Sequence, residues 1–314
     1  MNTLYELKNG HPFKKKIWAV GGGKGGTGKS LISSTLAIEL ARMEKEVILV
    51  DADLGGANLH TCLGIKNPAH TLAEFINKNV PELKDVLIDT SLEHLKLLSG
   101  ATDLLNIVNP QYTQKMRLIN HIKKLSAEFI IIDIGAGSPF NVIDFFLISN
   151  SGILVVSPEP TSIENAYRFL KNSILRKLRF ATAPKEVKKQ IKKVMDETVN
   201  EKFKTIYELI DLVSGVDEKS GEWLEKQLAK FRPALILNQV KNKDEIFIGE
   251  AMKNITKKYL GIEMNYIGHV PYDEKVNQSI KKYRPFTLEF PDCQASINVG
   301  LAAKKLIELS EKRT

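Results

Sequence analysis

The sequence predicts a doubly wound α/β fold, a mostly parallel sheet flanked by helices, interrupted by one helical insertion. Three observations lead there. Short apolar runs alternate with helical patterns along most of the chain. Those runs are apolar at nearly every position, as suits strands covered on both faces in a parallel sheet. The first of them enters a glycine-rich loop of the kind that cradles phosphate. Strand–helix alternation with such a loop is the pattern of a doubly wound nucleotide-binding sheet.

The predicted strands are Ile17–Val20, Val47–Val50, Phe129–Ile132, Ile153–Val156, Ala234–Leu237 and Tyr266–Val270. Helical patterns lie between them at Ser30–Met43, Pro110–Leu125, Ser162–Leu175 and Glu245–Tyr259. Two weaker runs, Val86–Ile88 and Leu95–Leu98, suit an antiparallel or edge pair. Arg176–Phe231 breaks the alternation. It reads as charged amphipathic helix, with Val187, Ile191, Val194 and Met195 on one face and Phe203, Ile206, Tyr207, Ile210 and Val213 on another, and with Ser214–Gly221 as a loop. The organisation expected is an arm over residues 1–15, then a single domain over 16–314 carrying a basic helical insertion at about 176–231.

The chain has 314 residues, 43% hydrophobic and 26% charged, enough for a large core. No stretch reaches the ~18 apolar residues of a membrane-spanning helix, and the start of the chain does not read as a secretory signal. The two cysteines, Cys62 and Cys293, lie far apart, which argues against a disulfide framework or a zinc site and for a reduced, cytoplasmic setting. The formal net charge is +8. Nine basic residues between Lys171 and Lys193 face Glu186 alone, an excess equal to that of the whole molecule. Such a segment is a solvated or protein-binding helix face, a contact for anionic lipid, or a contact for DNA phosphates.

Gly23-Lys24-Gly25-Gly26-Thr27-Gly28-Lys29-Ser30 matches G-x-x-x-x-G-K-[ST] between a predicted strand and a predicted helix. Glycines let the backbone wrap a phosphate and aim N–H groups at it, and the helix start adds its positive dipole end. Lys29 is placed to reach the β- and γ-phosphates of ATP, and the Ser30 hydroxyl to ligand Mg²⁺. After the second strand, Asp51-Ala52-Asp53-Leu54-Gly55-Gly56-Ala57-Asn58 brings two carboxylates to the carboxyl edge of the sheet. There an aspartate holds Mg²⁺ or orients the attacking water. Phe129–Ile132 runs into Asp133, a candidate Mg²⁺ ligand through water. Gly135–Gly137 then form a flexible stretch able to place an N–H against a γ-phosphate.

The second lysine, Lys24, makes the loop resemble the deviant Walker A motif of the MinD/ParA family of P-loop NTPases. The Asp51–Asn58 and Asp133–Gly137 segments resemble that family's two switches. The resemblance covers roughly three quarters of the chain. It implies an ATPase that forms a sandwich dimer with ATP, in which Lys24 reaches the partner's nucleotide, Asp53 positions the water and Asp51 lies near the metal. It also implies that Asn238, at the end of the Leu235–Leu237 strand, reads the adenine, and that Val270-Pro271-Tyr272-Asp273 closes over the base. The Ser157–Ser162 wording resembles the flagellar-number regulators of the family (FlhG, also called FleN or YlxH); locally it reads as a helix cap, with Glu164 as capping-box partner of Thr161. Two features depart from the pattern: Met1–Lys16 lacks the Asp-Gln-Ala-type helix of those regulators, and the insertion at Arg176–Phe231 is longer and more basic than in MinD-like proteins.

The expectation is a slow, Mg²⁺-dependent ATPase that switches between monomer and homodimer, is triggered by an activating protein partner, and acts in spatial organisation, flagellar placement or number included. Its peripheral binding at the inner membrane face or to DNA would use segment 171–193. A nucleoid-coating partition ATPase is the alternative. A cluster-delivery ATPase would want paired cysteines, and a metabolic kinase has no use for Lys24. The tail Ile297–Thr314 carries a modest apolar stripe (Val299, Ala302, Leu306, Leu309) and no aromatic anchor, which suits a last helix packed on the sheet or a weak amphipathic membrane helix.

Overall fold

The structure, a computed structural model, describes residues 5–8, 11–100, 111–149, 151–180, 185, 187–189, 192–193 and 205–312. The chain opens with an antiparallel hairpin, β1 (Tyr5–Lys8) against β2 (His11–Lys14), where the sequence showed only an arm. There follow β3 (Lys16–Gly21), α1 (Lys29–Arg42), β4 (Val47–Ala52), α2 (Leu59–Cys62), α3 (Leu72–Ile76), β5 (Ile88–Asp89) and β6 (Leu95–Leu98). Next come α4 (Tyr112–Ile122), β7 (Phe129–Ile134), α5 (Phe140–Leu147), β8 (Ser151–Val156) and α6 (Pro160–Phe180). The last stretch holds α7 (Ile206–Val216), α8 (Glu218–Ala229), β9 (Ala234–Val240), α9 (Lys243–Leu260), β10 (Asn265–Pro271), α10 (Glu274–Lys281), α11 (Phe286–Glu289) and α12 (Gln294–Lys312).

Eight strands form one sheet in the order β10-β9-β8-β3-β7-β4-β6-β5, parallel throughout except for β5, which runs antiparallel to β6 as an edge pair. The six predicted strands are present; of the weaker runs Leu95–Leu98 forms β6, whereas Val86–Ile88 reaches the sheet only at Ile88, because Leu83–Val86 is a 3-10 helix. The apolar runs work because both faces are covered. Ile17 and Ala19 of β3, Ile48 and Val50 of β4, and Ile130 and Ile132 of β7 enter the core under α3–α9. Their neighbours Trp18, Val20, Val47, Leu49, Phe129 and Ile131 enter the opposite core under α1 and α12. A period of two with both faces apolar gives an unbroken hydrophobic string.

Three expectations change. The insertion cannot begin at Arg176, because α6 continues through it to Phe180. Arg176 is an anchor of that helix, its guanidinium forked onto Asp144 at 2.8 and 2.9 Å. Ser214–Gly221 is not a loop: α7 and α8 meet at the single residue Asp217, whose carboxylate accepts the Ser220 N–H at 2.9 Å as an N-cap. Gly221 serves close helix packing, since a Cβ there would stand 1.8 Å from Ser214 Oγ. Third, α6 starts at Pro160, so Thr161 already lies in its first turn and cannot cap it. The Glu159 carbonyl takes the N–H groups of Ser162 and Ile163, and Glu164 pairs with Arg168. The predicted Ile191, Val194, Met195 and Phe203 lie outside the described residues.

The last helix settles against the sheet. Val299, Ala302 and Leu306 of α12 are buried on the α1 side. Fully burying such a side chain is worth about 1.5–3 kcal/mol, so the stripe holds the helix to the protein rather than offering it to a bilayer. No described helix is long and apolar enough to cross a membrane.

Candidate functional site

The site gathers at the carboxyl ends of three neighbouring strands. β3 leads into the glycine loop, β7 lies beside it, and β4 beside β7. Their register sets Asp51 directly opposite Asp133 and Val20 opposite Asp133. Two carboxylates predicted from separate motifs thus become neighbours through sheet register alone.

The loop Gly23–Ser30 feeds straight into α1, whose first turn has no side-chain cap and no acidic residue. Its first N–H groups are left for a ligand, with the helix dipole behind them. Gly26 and Gly28 have φ of +79° and +86°, and such left-handed residues in alternation turn successive N–H groups toward one point. Lys29 is buried, its Nζ 3.1 Å from the Lys24 carbonyl. Burial lowers its pKa, against the pull of Asp133 and Asp53. Thr27 Oγ1 is buried with no hydrogen-bond partner among the described residues, an unmet polar group inside the cradle.

Asp133 is fully enclosed. Its carboxylate accepts the Ser33 hydroxyl at 2.8 Å and is hydrogen-bonded by Ser30. Burial nevertheless pushes its pKa up to about 6. Asp51, equally enclosed, is pushed up to about 8 by burial and by the charge of Asp133. Its oxygens accept the backbone N–H groups of Asp53 (3.3 Å), Asn58 (3.0 Å) and Leu59 (3.1 Å). Asp51 therefore shapes the first switch as well as facing Asp133, and Asn58 meets it through its backbone, with an exposed side chain. Two buried carboxylates with the Lys29 ammonium as their nearby cation still carry more negative than positive charge when ionised, which suits a divalent cation. The hard oxygens of Ser30, Asp133 and Asp51 fit Mg²⁺, which keeps waters and phosphate oxygens as its remaining ligands. Among the described residues no three His, Cys, Asp or Glu side chains form an all-protein metal cage.

Asp53 joins the Asp51–Asn58 and Gly135–Gly137 segments. A Cβ on Gly135 would lie 3.0 Å from Asp53 Oδ1, so the carboxylate rests against the second switch while sharing the field of Lys29. Gly137 turns left-handed at φ +83°. Lys24 is half-exposed and turned outward. Its ammonium binds Glu159 at 2.7 Å and Thr161 Oγ1 at 2.9 Å, at the start of α6. These two partners were not foreseen as site residues. Cys62 lies behind the first switch, its thiol pushed up to about 11 by burial and by Asp133, which leaves it unreactive.

At the rim, Asn238 is buried and donates from Nδ2 to the Thr27 carbonyl at 2.8 Å. Its neighbour Gln239, unmarked by any motif, donates to the Gly26 carbonyl at 3.1 Å. The Tyr272 N–H binds the Val240 carbonyl at 2.8 Å, tying the end of β10 to the end of β9, while the Tyr272 ring stays exposed.

The chain is similar to several known proteins. The family described as the CobQ/CobB/MinD/ParA nucleotide binding domain matches residues 18–286. The antiactivator FleN of Pseudomonas aeruginosa is 28% identical over 305 residues, spanning 96% of this chain and 89% of that protein. The flagellum site-determining protein YlxH of Helicobacter pylori is 32% identical over 185 residues, 54% of this chain and 60% of that one, so less than two thirds of YlxH is matched. The solved septum site-determining protein MinD of Pyrococcus horikoshii, complexed with Mg-ADP, superposes with a TM-score of 0.65 at 20% identity, covering 96% of this chain and 99% of that structure.

Proposed function

The chain belongs to the CobQ/CobB/MinD/ParA nucleotide-binding family, and on that premise we propose that it is a slow ATPase working as a nucleotide-controlled dimerisation switch in spatial organisation, flagellar placement or number. The observation that carries the proposal is the different fate of two lysines in one loop. Lys29 is buried toward Asp133 and Asp53, where it meets its own phosphates. Lys24 is directed out of the cradle and held by Glu159 and Thr161, a position from which it serves a site outside its own chain. The relatives include an antiactivator, FleN, a flagellum site-determining protein, YlxH, and a putative septum site-determining protein, MinD.

In this reading the residues divide the work. The N–H groups of Gly25–Ser30 and the Lys29 ammonium bind the β- and γ-phosphates. Ser30, Asp133 and Asp51 hold Mg²⁺, which, when bound, neutralises phosphate charge. Asp53, poised against Gly135, orients the attacking water and takes up its proton. Gly135–Gly137 rearrange when the γ-phosphate leaves, which loosens the dimer. Asn238, Pro271 and Tyr272 border the adenine.

Sedimentation velocity with and without ATP, paired with phosphate release, tests this. Lys29→Ala loses nucleotide. Asp53→Ala keeps ATP and stays dimeric. Lys24→Ala binds nucleotide as a monomer. Parental hydrolysis by Asp53→Ala would remove the water-positioning role, and an ATP-bound parent that stays monomeric would remove the switch.

A second reading, a partition ATPase coating DNA, draws on a specific feature. Lys185, Lys188, Lys189, Lys192 and Lys193 are exposed while Val187 turns inward, so one helical face presents clustered positive charge. ATP-dependent binding to duplex DNA or to anionic vesicles, falling steeply with salt, would favour that face as the docking surface.

A further inference from the structure

We propose that Gln239, with Asn238, is a positioning residue for the phosphate loop, holding its N–H groups in the phosphate-binding orientation before any nucleotide arrives. The inference rests on the reading of Gly23–Ser30 as a phosphate site.

The end of β9 is irregular in a purposeful way. Asn238 pairs with Val270 and Val240 with Pro271, so Gln239 has no opposite number on β10 and forms a bulge. Its φ is +63°, in the left-handed region that a residue with a Cβ rarely enters. In a regular strand, successive side chains point to opposite faces and two neighbours could not reach one loop. The left-handed bulge re-aims Gln239, as bulges beside sites do, and both amides converge on consecutive carbonyls. Gln239 Nε2 donates to the Gly26 carbonyl at 3.1 Å and Asn238 Nδ2 to the Thr27 carbonyl at 2.8 Å.

The consequence follows from peptide geometry. A trans peptide is planar, and its C=O and N–H point in opposite directions. The Gly26 carbonyl shares its plane with the Thr27 N–H, and the Thr27 carbonyl with the Gly28 N–H. Pinning the two carbonyls outward therefore turns the Thr27 and Gly28 N–H groups inward, where phosphate oxygens bind. Gly28 permits the arrangement, because a Cβ there would meet Asn238 Nδ2 at 2.2 Å. A residue that only read adenine would not need to brace the loop, nor would its neighbour need a strained backbone.

The test uses magnesium pyrophosphate, which has no base, beside MgADP, both measured by calorimetry on the full chain. Gln239→Ala is expected to weaken both ligands by a similar factor, about 5–10-fold, as for one lost hydrogen bond, with the preference for ADP over GDP unchanged. Gln239→Gly, which accepts the left-handed backbone without strain, should show the same loss and so assign it to the amide. Gln239→Glu, isosteric but with an acceptor facing the Gly26 carbonyl, should lose more. Unchanged pyrophosphate affinity in a folded Gln239→Ala or Gln239→Gly variant overturns the inference and leaves the ATPase reading standing. Loss confined to MgADP, with pyrophosphate spared, overturns it in favour of base reading. A parental chain that binds neither ligand overturns both.

Discussion

Replacing Asp144 with alanine tests how the helix behind the second switch is anchored. Asp144 lies on α5, which begins right after Gly135–Pro139. Its carboxylate receives the Lys115 ammonium from α4 and a forked pair of N–H groups from Arg176 on α6 at 2.8 and 2.9 Å. The Lys115 and Arg176 side chains are 3% and 14% exposed and that of Asp144 is 16% exposed, so water screens the cluster little. Burial pushes Asp144 up, but the hydrogen bonds from Arg176 and Lys115 outweigh it and hold the carboxyl below its ordinary range. Alanine would leave Lys115 buried without its carboxylate, keeping Asn141 Oδ1 at 3.0 Å and the Tyr112 ring at 5.2 Å. Removing one partner of a buried pair costs about 3–5 kcal/mol, because the remaining charge is stranded. Urea unfolding should show a loss of that size, and hydrolysis should fall as the second switch loses its anchor. The stabilisation is present above the ordinary carboxylate pKa of about 4 and disappears as pH falls through the lower folded value. A loss below about 1 kcal/mol, the range of an exposed pair, would refute the reasoning.

Other outcomes follow from the same geometry. Asp51 and Asp133, at about 8 and 6, retain protons in the folded chain that they release on unfolding above pH ~4. The nucleotide-free protein should thus melt higher at pH 6 than at pH 8.5, and Asp51→Asn should flatten that slope; an unchanged slope would show that other groups set it. Gly28→Ala must place a side chain at φ +86° and push Asn238 aside. It should cost at least about 1–2 kcal/mol and weaken magnesium pyrophosphate in calorimetry, with parental affinity as the contrary result. Alanine at Lys188, Lys189, Lys192 and Lys193 together should leave the melting temperature within a degree or two, since these side chains are exposed; a large drop in a thermal melt would mean they pack.

Much of this site is legible because its chemistry is local. A buried parallel strand is a continuous apolar run, and Phe129–Ile132 or Val47–Val50 need no partner to be seen. The loop from Gly23 to Ser30 carries its function in its own residue types. The short helices α2, α3 and α5 escaped because four to eight residues hold too little periodicity. Ser214–Gly221 misled because glycine marks both a turn and a close helix contact, and only the opposing Ser214 distinguishes them.

By itself, then, the sequence determined the sheet, the order of the three motifs along it, and which residue types stand at its carboxyl edge. Only the tertiary structure decided which of them meet. Asp51 faces Asp133 through strand register. Lys24 finds Glu159 across 135 positions of chain and Asn238 finds Thr27 across 211. A left-handed bulge, invisible as residue type, turns Gln239 onto the loop. Composition and spacing encode what a segment can bind; contacts between distant segments depend on register, crossover and local backbone angles, which no single segment specifies.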